Sequence, residues 1–134
     1  RLWRPITAIQ AADTDNNDAT DVDAGWVPLL GTPPYPSHAS NASCLGAGAA
    51  QTLGNVFGSD NKSFTAIWYT GASPPELVHS EPYDSFWAMG HDTGSGRIWG
   101  GIHYRFEITA SENSCTQVAN YLFDNYMQRR SRHW

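Results

Sequence analysis

Basic side chains are scarce in this chain of 134 residues: eight Lys and Arg stand against thirteen Asp and Glu, for a formal net charge of −5. That balance disfavours a nucleic-acid backbone or an anionic membrane surface as partner, so the few cations read as local placements. Also lacking is any run near the ~18 apolar residues needed to cross a bilayer, and no basic segment followed by an apolar one opens the chain as in a secretory leader. The expectation is a soluble chain with no membrane-spanning segment and no nucleic-acid partner. There are only two cysteines, Cys44 and Cys115. Far apart in sequence, they permit one long-loop disulfide in an oxidising compartment, but two cysteines settle neither pairing nor compartment. Asn41-Ala42-Ser43 and Asn61-Lys62-Ser63 match the glycosylation acceptor pattern, a common chance match. Together these weak signals lean towards an extracellular or otherwise extracytoplasmic glycoprotein. No internal repeat or low-complexity segment is evident.

The length suits one domain, expected to bury about 68% of its unfolded surface if it folds alone. Residues 1–12 carry helix-compatible Ala, Ile, Leu and Gln, with Arg4-Pro5 in or before a first turn. Residues 13–24 are polar and acid-rich, and predict a surface loop. Pro28, Pro33, Pro34 and Pro36 then impose extended or turn backbone leading to a helix start. From Ser43 to about Phe57 small and apolar residues predict a buried helix stopped at Gly58, in which Gly46, Gly48 and Gly54 allow close helix contact. Residues 63–70 alternate as a short strand would. Ser80-Glu81-Pro82 predicts the cap and first turn of a helix reaching Trp99, and residues 115–129 predict another. The closing run from Arg129 to His133 reads as a solvated tail.

Within this frame a few residues carry chemistry. Arg97 and His103 lie six apart across Gly100-Gly101, so a helix followed by a turn can bring them together. Arginine offers a planar donor fork to phosphate-like oxygens, and histidine can ligate, attack or transfer protons near neutral pH. Glu107, four residues after His103, can hold one ring nitrogen and orient the other. Ser40 adds a hydroxyl at a helix N-terminus, where exposed N–H groups favour an anion. The plainer reading pairs the arginine with a carboxylate and satisfies the histidine in the core.

Three segments in order then resemble the vanadium-dependent haloperoxidase and type 2 phosphatidic acid phosphatase superfamily, in its C-terminal catalytic region. Trp3-Arg4-Pro5-Ile6-Thr7-Ala8-Ile9 is similar to the end of the first motif. Tyr35 to Ser43 resembles the Pro-Ser-Gly-His motif with its lead-in, and Gly96 to Glu107 resembles the Ser-Arg motif with its downstream histidine and acid. The run from Gly100 to Phe106 is especially similar to bacterial haloperoxidase-like members. The resemblance implies an all-α fold: part of a haloperoxidase-like helical bundle with long motif-bearing loops. It implies a single partial domain over residues 1–134, upstream helices absent. It further implies Arg4 and Arg97 as oxyanion-binding arginines, with Ser40 and the backbone of Asn41 on equatorial oxygens. His103 would be the axial vanadate ligand or, in a phosphatase, the nucleophile, and Glu107 would orient it where the family commonly has Asp. Vanadate is the implied cofactor, phosphate an alternative oxyanion, and the implied partner a small oxyanion or phosphate ester. With vanadate, peroxide would oxidise halide without redox change at vanadium.

This sequence departs from the pattern where the acid-base group belongs. The motif histidine falls at Ala42, its glycine at Asn41, and the serine before the motif arginine at Gly96. The lysine of the first motif would precede Arg1. Loss of a positioned acid-base group costs about 10²–10⁴-fold in rate, so membership does not carry activity with it. Two functions follow: an oxyanion-binding domain with weakened or lost catalysis, or a noncatalytic structural or assembly module, a pseudoenzyme with a protein partner or self-association. Whether the chain is an enzyme stays open. His38, the only histidine near Ala42, reads as a turn residue.

Two other features compete for attention. Asp13, Asp15, Asn17, Asp18, Asp21 and Asp23 superficially resemble a calcium loop, but the twelve-residue pattern begun at Asp13 wants glycine and glutamate where Asp18 and Ala24 stand. A solvated loop is expected, not calcium. Of six tryptophans, Trp87 and Trp99 are expected in a helical core, whereas Trp68 with Tyr69 suits an interface.

Overall fold

A computed structural model of the protein describes residues 2–71 and 74–126. The first helix, α1 (Pro5–Gln10), starts with proline at its first position, where the missing N–H leaves no bond unmade. After a 3-10 turn (Ala12–Thr14), a long loop returns across the molecule and is tied down where Asp23 N–H donates to Ile9 O (3.2 Å) and Leu30 N–H to Gly100 O (3.1 Å). The proline-rich stretch then feeds α2 (Asn41–Phe57), which stops at Gly58 with φ of 69°, a left-handed residue that glycine adopts without strain.

Helix α2 is the centre of the bundle. Its buried Ser43, Ala47 and Ala50 recur at helical spacing, and their small size lets α3 (Phe86–Trp99) and α4 (Arg105–Asn125) close in. Against α3 the approach is through glycine: a Cβ on Gly46 would stand 2.7 Å from the Gly90 carbonyl oxygen. The glycines at 48 and 54 have only ordinary clearances, 3.8 and 3.9 Å, so close helix contact belongs to Gly46 alone of the three. Against α4 the tie is covalent, a Cys44–Cys115 disulfide with Cα atoms 5.2 Å apart. Ser85 caps α3 by accepting from Ala88 N–H (3.0 Å), and Asp60 Oδ1 accepts from Trp87 N–H (2.9 Å).

The expected all-α class needs correction, because the fold is mainly helical with a small antiparallel hairpin of β1 (Phe64–Tyr69) and β2 (Leu77–Tyr83). Phe64 pairs with Tyr83, and a register irregularity falls between Trp68 and Tyr69. The segment Ser80-Glu81-Pro82, expected to open α3, is strand instead. Each strand of a two-stranded sheet is an edge, and edges are where proline is tolerated. Phe64 and Phe57 both pack on Phe86, with ring centroids 5.6 and 5.7 Å apart, and Tyr83 Oη donates to Asp92 Oδ2 (2.8 Å). Burial first, then Asp92, push the Tyr83 pKa up to about 12.

Helix α4 starts ten residues earlier than the expected 115–129, and residues 127–129 lie outside the described residues, as does the basic tail. Trp87 and Trp99 are not core residues: Trp99 is 79% exposed, because the face that α3 buries is Gly90 and Gly94. Trp68 and Tyr69 are exposed on the hairpin. The buried apolar set is Ala12, Ala47, Ala50, Ile102, Ile108 and Ala119, mostly alanine. No helix among the described residues is long and apolar enough to cross a membrane.

Candidate oxyanion site

The site forms where the end of α3, the start of α4 and the entry to α1 meet. Helix α3 ends at Trp99, and Gly101 turns the chain with φ of 73° against the Trp26 ring and Pro28. That turn places His103 two residues before α4, 3% exposed. Glu107 sits at the third position of α4 and reaches back to accept from Tyr104 N–H through Oε2 (3.0 Å), half of a capping box. The same oxygen lies 3.1 Å from His103 Nδ1. A carboxylate that caps the helix thereby also fixes the imidazole: Nδ1 carries the proton towards Glu107, and Nε2 presents its lone pair.

Arg4, 8% exposed, comes in from the residue before α1. Its Nη1 donates to Ile102 O (2.8 Å) and stands 3.1 Å from His103 Nε2, and its Nη2 donates to Tyr35 O (3.1 Å) and Pro36 O (3.3 Å). The guanidinium carbon lies 5.3 Å from the Tyr35 ring centroid. One side chain thus joins all three motif segments. Burial lowers the His103 pKa, Arg4 and Arg97 lower it further, and the Glu107 hydrogen bond opposes them without prevailing. Burial would raise the Glu107 pKa, but the Tyr104 N–H, the Ser37 hydroxyl and His103 outweigh it, and the net shift is downward. The pair at neutral pH is a neutral imidazole held by a carboxylate under two fixed positive charges.

Ser40, fully buried, precedes α2 without capping it. Its hydroxyl is 2.8 Å from Ser43 Oγ, and its N–H donates to Ser111 Oγ (2.8 Å), which donates in turn to Glu107 O (2.7 Å). Asn41 opens α2 and is exposed, and Ala42 is half-buried beside it. His38 is exposed on the preceding loop. Arg97, half-buried near the end of α3, acts electrostatically on His103, and its Nε is buried without an acceptor, as is that of Arg4. The structure therefore gathers Arg4, Arg97, His103 and Glu107 and links Ser40 to them through Ser111. Sequence reasoning missed Ser37, Ser43 and Ser111, all buried. Ser111 follows Glu107 by one helical turn, a signal visible only to a reading that starts α4 at Arg105.

Arg4 Nη1 stands beside the neutral imidazole, Arg97 adds its positive charge, and the Nε atoms of both arginines are buried without acceptors, side chains of a kind that suits vanadate or another small oxyanion. Elsewhere, among the described residues no group of three or more His, Cys, Asp or Glu gathers as a metal-ion site. The acidic loop instead hydrogen-bonds itself, Asp15 accepting from Thr20 Oγ1 and Asn17 N–H.

Comparison with solved structures finds the same fold in bacterial vanadium enzymes. A bacterial vanadium-dependent iodoperoxidase is 28% identical, with a TM-score of 0.72 over 92% of this chain and 27% of its own. The holo-type and apo-type structures of a bacterial vanadium-dependent chloroperoxidase are 19% and 18% identical. Their TM-scores are 0.68 and 0.65, covering 90% and 94% of this chain and 29% and 32% of theirs. The chain thus spans about a third or less of these relatives' length. No curated protein matches the sequence. The family model described as the VCPO second helical-bundle domain matches residues 1–132, a span that takes in Arg4, Ser40, Arg97, His103 and Glu107, and to that vanadium haloperoxidase-like family this chain belongs.

Proposed function

We propose that this chain is an oxyanion-binding domain of haloperoxidase type whose catalysis is weakened or lost at Ala42. The observation that carries the proposal is the buried His103, held through Nδ1 by Glu107 with its Nε2 lone pair under the Arg4 guanidinium. Vanadate, when bound, would supply the means of halide oxidation by peroxide; His103, Arg4, Arg97 and the Ser40–Asn41 helix start would hold it. With a phosphate ester instead, neutral His103 Nε2 is the group able to attack phosphorus, and the guanidiniums offset charge on the equatorial oxygens. Either ligand must take Arg4 Nη1 from Nε2, since the two now stand 3.1 Å apart. Proton delivery to a leaving oxygen is the role without an occupant, as a methyl group stands at position 42. The disulfide supports an oxidising, extracytoplasmic location as part of this proposal.

Orthovanadate binding by calorimetry tests it, with His103→Ala as control. Micromolar binding lost in the control is the expected result, and no binding by either folded protein would defeat the reading. A second reading, a noncatalytic assembly module, draws on a different face. Leu45 on α2 and Val118 and Leu122 on α4 are exposed beside the disulfide, over a core composed mostly of alanine. Under that reading the protein would self-associate or bind a protein partner and leave vanadate alone.

A further inference from the structure

Ser111 is buried in α4, and neither the oxyanion motifs nor the chemistry proposed for them makes use of it. Its hydroxyl hydrogen goes to Glu107 O (2.7 Å), the local bond that Ser and Thr side chains commonly make one turn back along a helix. Thr109 and Ser114 make the same bond, to Arg105 O and Ala110 O, but both are exposed. Ser111 differs in having a second partner. With its only hydrogen committed, its Oγ is left as an acceptor, and it takes the Ser40 N–H at 2.8 Å from across the bundle. Ser40 is itself fully buried, so bulk water cannot replace that acceptor, and losing the bond leaves a donor unmet at the start of α2. One hydroxyl therefore joins two parts of the site. On one side stands Glu107, whose Oε2 holds His103 Nδ1. On the other stands Ser40, whose side chain is not spent on capping α2 and lies 2.8 Å from Ser43 Oγ. Four residues further along both helices, the Cys44–Cys115 disulfide keeps α2 and α4 in the same alignment.

We infer that Ser111 is a positioning residue for the oxyanion: through its one hydroxyl it sets the start of α2, with Ser40 and the Asn41 N–H, against the Glu107–His103 pair. The inference rests on the oxyanion-binding reading and adds to it a residue that touches no ligand. A residue of this kind must be told apart from one that merely stabilises the fold, so affinity and stability are measured side by side. Orthovanadate binding is followed by calorimetry on the 134-residue chain, disulfide intact, for the parent, Ser111→Ala and Ser111→Thr, and each is also unfolded in urea without ligand. Ser111→Ala is expected to bind orthovanadate about 10-fold more weakly than the parent, the worth of about one hydrogen bond. Threonine keeps a hydroxyl able to make the same two bonds but adds a methyl group to a packed site, so Ser111→Thr should unfold at lower urea yet bind within about 2-fold of the parent. Affinity would then follow the hydroxyl and not the stability. A folded Ser111→Ala that binds as tightly as the parent overturns the inference, and so does a folded Ser111→Thr that binds about 10-fold more weakly than the parent; both leave the oxyanion reading standing. The threonine arm decides alone if alanine leaves the chain unfolded. No binding by the folded parent overturns both the inference and that reading.

Discussion

Gly46 and Gly90 allow the packing of α2 on α3 to be tested by a single methyl group. Alanine at position 46 gains about 1 kcal/mol of intrinsic helix preference over glycine. Against that gain, its Cβ would stand 2.7 Å from the Gly90 carbonyl oxygen, 3.2 Å from Thr93 Cβ and 3.3 Å from Gly90 Cα. A backbone oxygen in the middle of a helix cannot rotate aside as a side chain can, so the two helices must separate. Overpacking of this kind costs about 1–3 kcal/mol, and a backbone obstacle belongs in the upper part of that range. Gly46→Ala is therefore expected to lower stability by about 1–2 kcal/mol. Gly96, in α3, isolates the propensity term because nothing lies within 4 Å of a Cβ built there. Gly96→Ala should raise stability by about 0.5–1 kcal/mol. Urea unfolding followed by far-ultraviolet circular dichroism, with the disulfide intact, measures both. Opposite signs at an unchanged slope are the expected outcome; if both alanines stabilise, the glycine contact does not set the helix separation and the packing argument fails.

Opening the Cys44–Cys115 bridge, which closes a sequence separation of 71, should lower stability by about 4 kcal/mol in the chain-entropy limit, read from urea midpoints with and without reductant. Acidification should destabilise in two stages. His103 has a lowered pKa in the fold, so the unfolded chain binds its proton first and stability falls once pH drops below about 6.5. Glu107, also lowered, contributes stability that is present above about pH 4.3 and is lost as pH falls through its folded pKa. His103→Asn should flatten the upper stage of a stability-against-pH curve and weaken the lower one, because His103 is one of the groups that lower the Glu107 pKa. Ala42→His should restore turnover of a phosphate ester by about 10²-fold or more over the parent chain; a folded variant that binds phosphate and gains nothing would show that Ala42 is not what limits catalysis.

The motif segments were legible because their residues carry a pattern independent of fold: the grouping of Arg97, His103 and Glu107 was expected from spacing and Arg4 only from the resemblance, and the structure sets Arg4 and Glu107 each 3.1 Å from the His103 ring, with Arg97 acting on it electrostatically. The element boundaries around them were harder to read. Pro82 looked like a helix opener because proline suits a first turn, yet it suits an edge strand equally, and only the pairing of Phe64 with Tyr83 separates the two. The first ten residues of α4 mix Thr, Ser and Glu with few apolar positions, so hydrophobic periodicity was weak there. A hidden start signal lay in Glu107 itself, three residues after Tyr104, read as a ligand-orienting acid but not as a cap. Tryptophan placement went astray for a packing reason. Where two helices approach through Gly46 and Gly90, no room remains for an indole, and Trp99 goes to the surface.

The two functional readings differ in what Arg4 is for. As a structural tie it is nearly complete: three backbone carbonyls and one imidazole nitrogen take its terminal hydrogens, joining α1, the proline loop and the turn before α4. A guanidinium wanted only for that purpose would not need a second one nearby, because Arg97 adds positive charge against a histidine already kept neutral. One carboxylate, Glu107, stands on the Nδ1 side of that ring, and two guanidinium charges exceed it by one. The Nε atoms of both arginines are buried without a partner in hydrogen-bond geometry, as are Ser37 Oγ and Glu107 Oε1. The proposed reading gives that surplus positive charge a purpose, since a bound oxyanion would offset it. Under the proposed reading Ala42 would remove proton transfer and leave recognition in place, so binding and turnover are expected to separate in this protein when measured independently.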